Sequence, residues 1–218
     1  MLVIESSTYA GSVALVDGAM LLAERSVAMR GRESEALMPA VAEVLGDGQT
    51  TVAALERIVC GAGPGSFTSL RIAGGIAKGL ALASGVPLVP VSSLALLVAS
   101  SGSLEAGRYL GAIDALRGEH YVALFTVWPN GELVADGGTS LVPSTELEAV
   151  AQRMGGRLVM AGSETGSIVP HARAATRLGT LIERTPATDL ASWEPAYGRL
   201  AEAQVKWEAA HGRRLAEA

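Results

Sequence analysis

RIVCGAGPGSFTSLRIAGGIAKGLALASGVPLVPV, residues 57–91, decides the fold. Its opening run, Arg57 to Cys60, is short, apolar and β-branched, which predicts a buried strand. The turn Gly61 to Gly65 stops it, and a long helix is predicted from about Ser66 to Ser84. Val86 to Val91 reads as another buried strand. From Gly79 to Ala99 there is no charged residue, about the length of a membrane span. Gly85, Pro87 and Pro90 sit in its middle, with Ser84, Ser92 and Ser93 around them, and they break a spanning helix. The stretch is therefore helix, turn, strand and the start of a helix at Ser92 to Ala99.

Upstream, Leu2-Val3-Ile4 opens a strand. Glu5 to Gly11 turns it into a second, Ser12 to Val16. Asp17-Gly18 is a hairpin signal, leading to a third strand around Met20 to Val27. Leu37, Val41, Val44 and Leu45 recur at helical spacing, with Gly46 as the stop. A short helix is predicted around Thr51 to Glu56. An antiparallel meander followed by crossovers fits, by fold analogy, a ribonuclease-H-like lobe, the unit of the actin/Hsp70/sugar-kinase (ASKHA) architecture. Ser100 to Gly107 (SSGSLEAG) is small and polar, the best linker. The expected division is an N-terminal lobe over residues 1–100, carrying the partner-binding helices, and a smaller α/β lobe over 101–218. In the latter, Tyr109 to Ile113, His120 to Val127 and Leu158 to Ala161 read as strands. Pro129-Asn130-Gly131 is a turn into a further strand. Thr145 with Glu148 matches a capping box opening a helix that ends at Gly155-Gly156.

Hydrophobic residues make up 49% of the 218, charged residues 18% and aromatics 4%. The chain can bury a core, built mostly of Ala, Val, Leu and Ile. A net charge of -5 disfavours autonomous RNA binding, which phosphate neutralisation drives. The C-terminal Arg199, Lys206, Arg213 and Arg214 are diluted by Glu202, Glu208 and Glu217. The single cysteine, Cys60, permits no internal disulfide and suits a reducing compartment. No signal peptide is read at the N-terminus, and the expectation is a cytoplasmic protein with no membrane contact.

The turn carries the strongest chemical signal. A strand, a glycine turn and a helix start can hold an anion on free N–H groups, which makes Gly63, Gly65 and Ser66 a candidate phosphate-binding turn. The spacing is neither G-x-G-x-x-G nor a Walker loop, and Pro64 lacks a donor. A tight turn for close helix–strand packing is the competing reading. The helix after it carries Ala73, Ala77, Ala81 and Gly85 at every fourth position, with Gly75 and Gly79 beside them. Such a face suits either close packing within its own lobe or docking of another subunit. The interface candidates are Leu37, Met38, Val41, Leu45, Phe67, Leu70, Arg71, Gly74, Gly75 and Lys78. His120, His171 and His211 lie far apart, so a His/Cys metal site is not expected. No serine sits in G-x-S-x-G. Asp114, Arg117 and Glu119 form either an interlobe polar cluster or, preferably, a solvated turn.

Several segments together resemble the TsaB (YeaZ) family: ESSTYAGSVAL from Glu5, RESEALMP from Arg32, GAGPGSFTSLRIAGGIAKGLA, VPLVPVSSLALL and DALRGEHY. The match is good to about residue 125 and looser beyond, where WEPAYGRLAEAQ resembles the family's closing Pro-x-Tyr segment. The resemblance implies a two-lobed ASKHA fold and pairing with a catalytic relative, TsaD. With the ATPase TsaE, that machinery makes threonylcarbamoyladenosine in tRNA. In TsaD-like relatives two metal-binding histidines follow the corresponding strand. Ser93 and Leu97 stand in those places here, so the resemblance implies a dead metal site and no catalytic residues. Glu5 replaces the usual Asp and Glu33 the usual His, which weakens any small-molecule role for those positions.

Two functions compete. The first is a non-catalytic subunit that holds its catalytic relative competent, forms a homodimer when alone and meets tRNA only through the complex. It has no cofactor of its own, a nucleotide at the subunit junction aside. The second is an ATP-binding or ATP-hydrolysing enzyme of the actin/Hsp70 class, for which no carboxylate, lysine and metal set is evident. A glycoprotease-like activity would need the missing histidines.

Overall fold

A computed structural model of the chain describes residues 1–162, 167–198 and 211. The charged residues Arg199, Lys206, Arg213 and Arg214, their acidic neighbours Glu202, Glu208 and Glu217, and the end of WEPAYGRLAEAQ lie outside the described residues.

The first sheet holds β1 (Leu2–Glu5), β2 (Ala10–Asp17), β3 (Met20–Ala28), β4 (Ile58–Gly61) and β5 (Leu88–Val91). Their order is β3-β2-β1-β4-β5. β1 to β3 form the antiparallel meander, and β1, β4 and β5 are parallel. Asp17 pairs with Met20 across the hairpin, and Gly18 takes φ 55 there, the left-handed backbone that a tight hairpin turn needs. The second sheet holds β6 (Gly107–Asp114), β7 (Glu119–Val127), β8 (Leu133–Ala135), β9 (Ser140–Pro143) and β10 (Arg157–Met160). It runs β10-β6-β7-β8, with β9 also on β7. The helices are α1 (Leu37–Asp47), α2 (Phe67–Ser84), α3 (Ser93–Ser100), α4 (Leu147–Met154) and α5 (Gly179–Arg184). This is the mixed α/β, two-sheet ASKHA-type architecture that the element order predicts.

The alternation of β1 explains the layering. Leu2 and Ile4 face a core with Leu37, Val41 and Val44 of α1 and Ala73, Ala77 and Ala81 of α2. Val3 faces the other way, into a core shared by α3 and by Tyr109, Tyr121 and Phe125 of the second sheet. α3 lies between the two sheets and is buried from Ser93 to Ala99. A helix enclosed on all sides needs no polar stripe, which accounts for SLALLVA. On the far face of the second sheet, Leu110, Ala112, Val122 and Leu124 receive Leu147, Val150 and Ala151 of α4.

Three local expectations are corrected. α1 passes through Gly46 to Asp47, and Gly48 caps it, its N–H reaching the Val44 and Gly46 carbonyls. The helix expected over Thr51 to Glu56 is a single 3-10 turn, Val52–Ala54. No capping box forms at Thr145, because the 3-10 turn Ser144–Glu146 runs straight into α4 and no side-chain cap bond is made. β9 is an addition, since Ser140–Pro143 has little alternation and ends on proline.

The C-terminal segment is not confined to the second sheet. The 3-10 turn Ala172–Arg177 returns to the first sheet, where the Ala172 N–H donates to Ser12 Oγ at 2.9 Å. Thr188 N–H donates to the Leu88 carbonyl at 2.9 Å, on the outer edge of β5. Among the described residues, no helix is long and apolar enough to cross a membrane.

Candidate functional site

The glycine turn between β4 and α2 is closed by the chain's own oxygens. A Cβ at Gly61 would lie 1.7 Å from Glu5 Oε2, at Gly63 2.5 Å from the Ala196 carbonyl, and at Gly65 2.1 Å from the Ser7 carbonyl. Each glycine thus admits a close approach that a side chain would block. Two of its donors are spent as well. Gly63 N–H donates to Ser93 Oγ at 3.1 Å, and Ser66 N–H donates to the Ser7 carbonyl at 2.7 Å. Ser66 Oγ bonds Ser69 Oγ at 3.0 Å. Of the two readings of Gly63, Gly65 and Ser66, the geometry favours the tight turn over a phosphate site, because the N–H groups of Gly63 and Ser66 are already used.

Glu5 ends β1 inside this turn and is wholly buried. Its Oε1 accepts from the Ser7 N–H at 2.5 Å and its Oε2 from the Ser93 hydroxyl at 2.8 Å. Burial raises its pKa above the ordinary carboxylate value, against the pull of Ser7, Ser93 and the Ser6 N–H, which favour the charged form. No ion pair to Glu5 forms among the described residues. The Ser7 hydroxyl is buried and makes no hydrogen bond of normal geometry. Cys60, next door, is enclosed, and burial, then the neighbouring Glu5, pushes its thiol pKa up.

Ser93 opens α3, Leu97 lies one turn further on, and both are fully buried. The Ser93 hydroxyl is committed to Glu5 and Gly63, and Leu97 sits in the core between the sheets. Among the described residues, no group of three or more His, Cys, Asp or Glu could hold a metal ion. His171 is remote from the turn. Its Nδ1 accepts from the Arg173 N–H at 3.2 Å and its Nε2 lies 3.3 Å from Ser26 Oγ. Burial, then Arg173, lowers its pKa. Asp114 is exposed and accepts from the Leu116 N–H at 2.8 Å, as a solvated turn requires.

The family model described as TsaD, tRNA N6-adenosine threonylcarbamoyltransferase, matches residues 28–137. The chain is 30% identical to the tRNA threonylcarbamoyladenosine biosynthesis protein TsaB of Bacillus subtilis, over 95% of this chain and 97% of that one. The chain belongs to the TsaB (YeaZ) family. TsaB of Escherichia coli is 36% identical over 60% of this chain and 57% of its own length. The solved structure of YeaZ from Pseudomonas aeruginosa superposes with a TM-score of 0.74 and 28% identity, covering 90% of this chain and 98% of that one.

In this TsaB-family chain the residues expected at a subunit interface divide. Leu37, Val41, Leu70 and Gly74 are buried, so they cannot meet a partner without rearrangement. Leu37 and Val41 pack on the sheet, and Gly74 is covered by Pro195, 3.0 Å from where its Cβ would be. Met38, Arg71 and Gly75 are exposed, and Leu45, Phe67 and Lys78 are half-buried. Gly75 and Gly79 face open space, and Leu82 beyond them is 78% exposed. Ala73, Ala77 and Ala81 serve the chain's own core. The departure Glu33 is exposed in the 3-10 turn Gly31–Ala36, away from the buried Glu5.

A strap that sequence reasoning missed crosses this helix. Lys78 Nζ donates to the Trp193 carbonyl at 2.8 Å, and Ala196 N–H donates to the Ala62 carbonyl at 2.7 Å. The Tyr197 ring lies 4.6 Å from that of Phe67, while Tyr121 Oη of the second sheet donates to the Tyr197 carbonyl at 3.4 Å. Its one signal in the sequence is the Pro-x-Tyr segment, Pro195 to Tyr197.

Proposed function

We propose that the chain is a non-catalytic subunit of tRNA threonylcarbamoyladenosine synthesis, pairing with a TsaD-like catalytic subunit and working with a TsaE-like ATPase. The observation that carries this is the fate of the two metal-ligand places. Ser93 is consumed by Glu5 and Gly63, and Leu97 is core. Neither leaves an open coordination position, which a catalytic metal needs. The family name supports the pathway, and the open part of α1 and α2, with Met38, Arg71, Gly75 and Leu82, supports docking as the mode of action. An ATPase reading has less behind it, since two donors of the turn that would cradle phosphates, the Gly63 and Ser66 N–H groups, bond within the chain. A nucleotide, if one takes part, belongs at the junction with the partner. tRNA is met through the complex, and the chain forms a homodimer when alone.

The test is reconstitution of tRNA modification from purified TsaD-like and TsaE-like subunits with and without this chain, alongside gel filtration and calorimetry with ATP and magnesium. Dependence on the chain and co-elution are expected. Tight ATP binding with turnover by the chain alone, and no co-elution, would overturn the reading.

A further inference from the structure

Glu5 is the buried ionisable group for which pairing offers no use. The polar groups that contact its carboxylate donate hydrogen bonds to it. The Ser7 N–H serves Oε1 and the Ser93 hydroxyl serves Oε2, and with the Ser6 N–H and the Ser7 hydroxyl they oppose the burial that raises its pKa. The Ser7 hydroxyl is the more telling because it is buried and otherwise unpartnered. Oε2 rests against the bare Cα of Gly61, so the backbone has been cleared to admit an oxygen. Successive N–H groups converging in a turn make an anion-binding concavity. A cation would face the two N–H groups, and among the described residues no second acidic group or imidazole joins Glu5 to hold one.

We propose that Ser6, Ser7 and Ser93 form an anion-binding nest at the base of the glycine turn, filled in cis by Glu5, which takes a small carboxylate once that side chain is removed. The nest stands independently of the docking role: it concerns why the turn is closed, whatever the chain pairs with. It also gives the closure a specific cause, since a carboxylate of the chain itself occupies the place where an external anion would be held.

The experiment is thermal unfolding of wild type and Glu5→Ala in sodium formate, sodium chloride and formamide at matched concentrations. Formate has the size of the lost carboxylate group, chloride controls for ionic strength, and formamide controls for shape without charge. Glu5→Ala should melt lower than wild type. Formate at ten times its Kd should return about 3–6 °C, from ligand linkage in a chain of this length, and wild type should respond to formate no more than to chloride. Formate no better than chloride, or formamide as good as formate, would overturn the proposal. Should Glu5→Ala prove insoluble, the same three solutes are compared by refolding yield, where a yield in formate no higher than in chloride or formamide overturns it equally. A second measurement uses Gly61→Ala. It should lower the Tm of wild type but cost little in the Glu5→Ala background, and an equal cost in both would place Glu5 elsewhere.

Discussion

Gly63→Ala should loosen the strap and destabilise the whole chain. Gly63 has φ 87, and an alanine held at positive φ costs about 1–2 kcal/mol. The new methyl would sit 2.5 Å from the Ala196 carbonyl and 2.9 Å from Leu70 Cδ1. Leu70 is wholly enclosed, so the strap must give way. Its retreat loses the hydrogen bond from Ala196 to Ala62, worth about 1 kcal/mol, and the contact of Tyr197 with Phe67, worth about 0.5–1.5 kcal/mol. The total is roughly 3–4 kcal/mol, or a fall in Tm of roughly 6–16 °C for a chain of this size. Calorimetric melting gives the first readout. Limited chymotrypsin digestion gives the second, with faster cleavage after Trp193 and Tyr197 expected. A Tm within about 2 °C of wild type, with unchanged cleavage, would refute the idea that the turn seats the strap.

Gly75→Arg places a side chain in open space on an exposed helix, so the isolated chain should keep its Tm or gain slightly from helix propensity, while co-elution with the TsaD-like subunit is lost. Survival of the complex would move the docking surface off α2. Leu97→Ala, in the core between the sheets, should cost about 2–5 kcal/mol in urea unfolding; a smaller loss would mean that α3 is less tightly enclosed than its burial indicates. For His171 the folded pKa lies below the ordinary 6.5, so its contribution to stability is full above that value and is lost as pH falls from it towards the folded pKa. Urea midpoints between pH 5 and 8 should drop more steeply on the acid side for wild type than for His171→Gln, and parallel curves would remove His171 from the linkage.

The strands and helices of the first sheet are legible because their signals are local. Asp17-Gly18 announces a hairpin, and the runs before and after Gly61 to Gly65 carry strand and helix lengths without ambiguity. α3 is readable as an apolar helix, but not as the layer between two sheets, because SLALLVA looks the same in any buried setting. The site is less legible. Small residues on α2 signal close approach without saying of what, and the structure assigns Ala73, Ala77 and Ala81 to the sheet and Gly74 to the strap, leaving Gly75 and Gly79 open. Glu5 stands out as a charge interrupting an apolar run, yet its partners include Ser93 and Gly61, far along the chain. Contacts between distant segments leave no periodicity behind, and the strap at Trp193 to Tyr197 shares that invisibility.

A helix enclosed by both sheets makes the boundary near residue 100 a poor place to cut. Were the chain divided there, the first fragment would carry α3 with its greasy flank bare to water, and the second would present Tyr109, Tyr121 and Phe125 with nothing to cover them. Each fragment would be sticky, and neither would behave as a small independent protein. Unfolding should accordingly run as one cooperative event, with the losses of fluorescence and of far-ultraviolet ellipticity at a common midpoint.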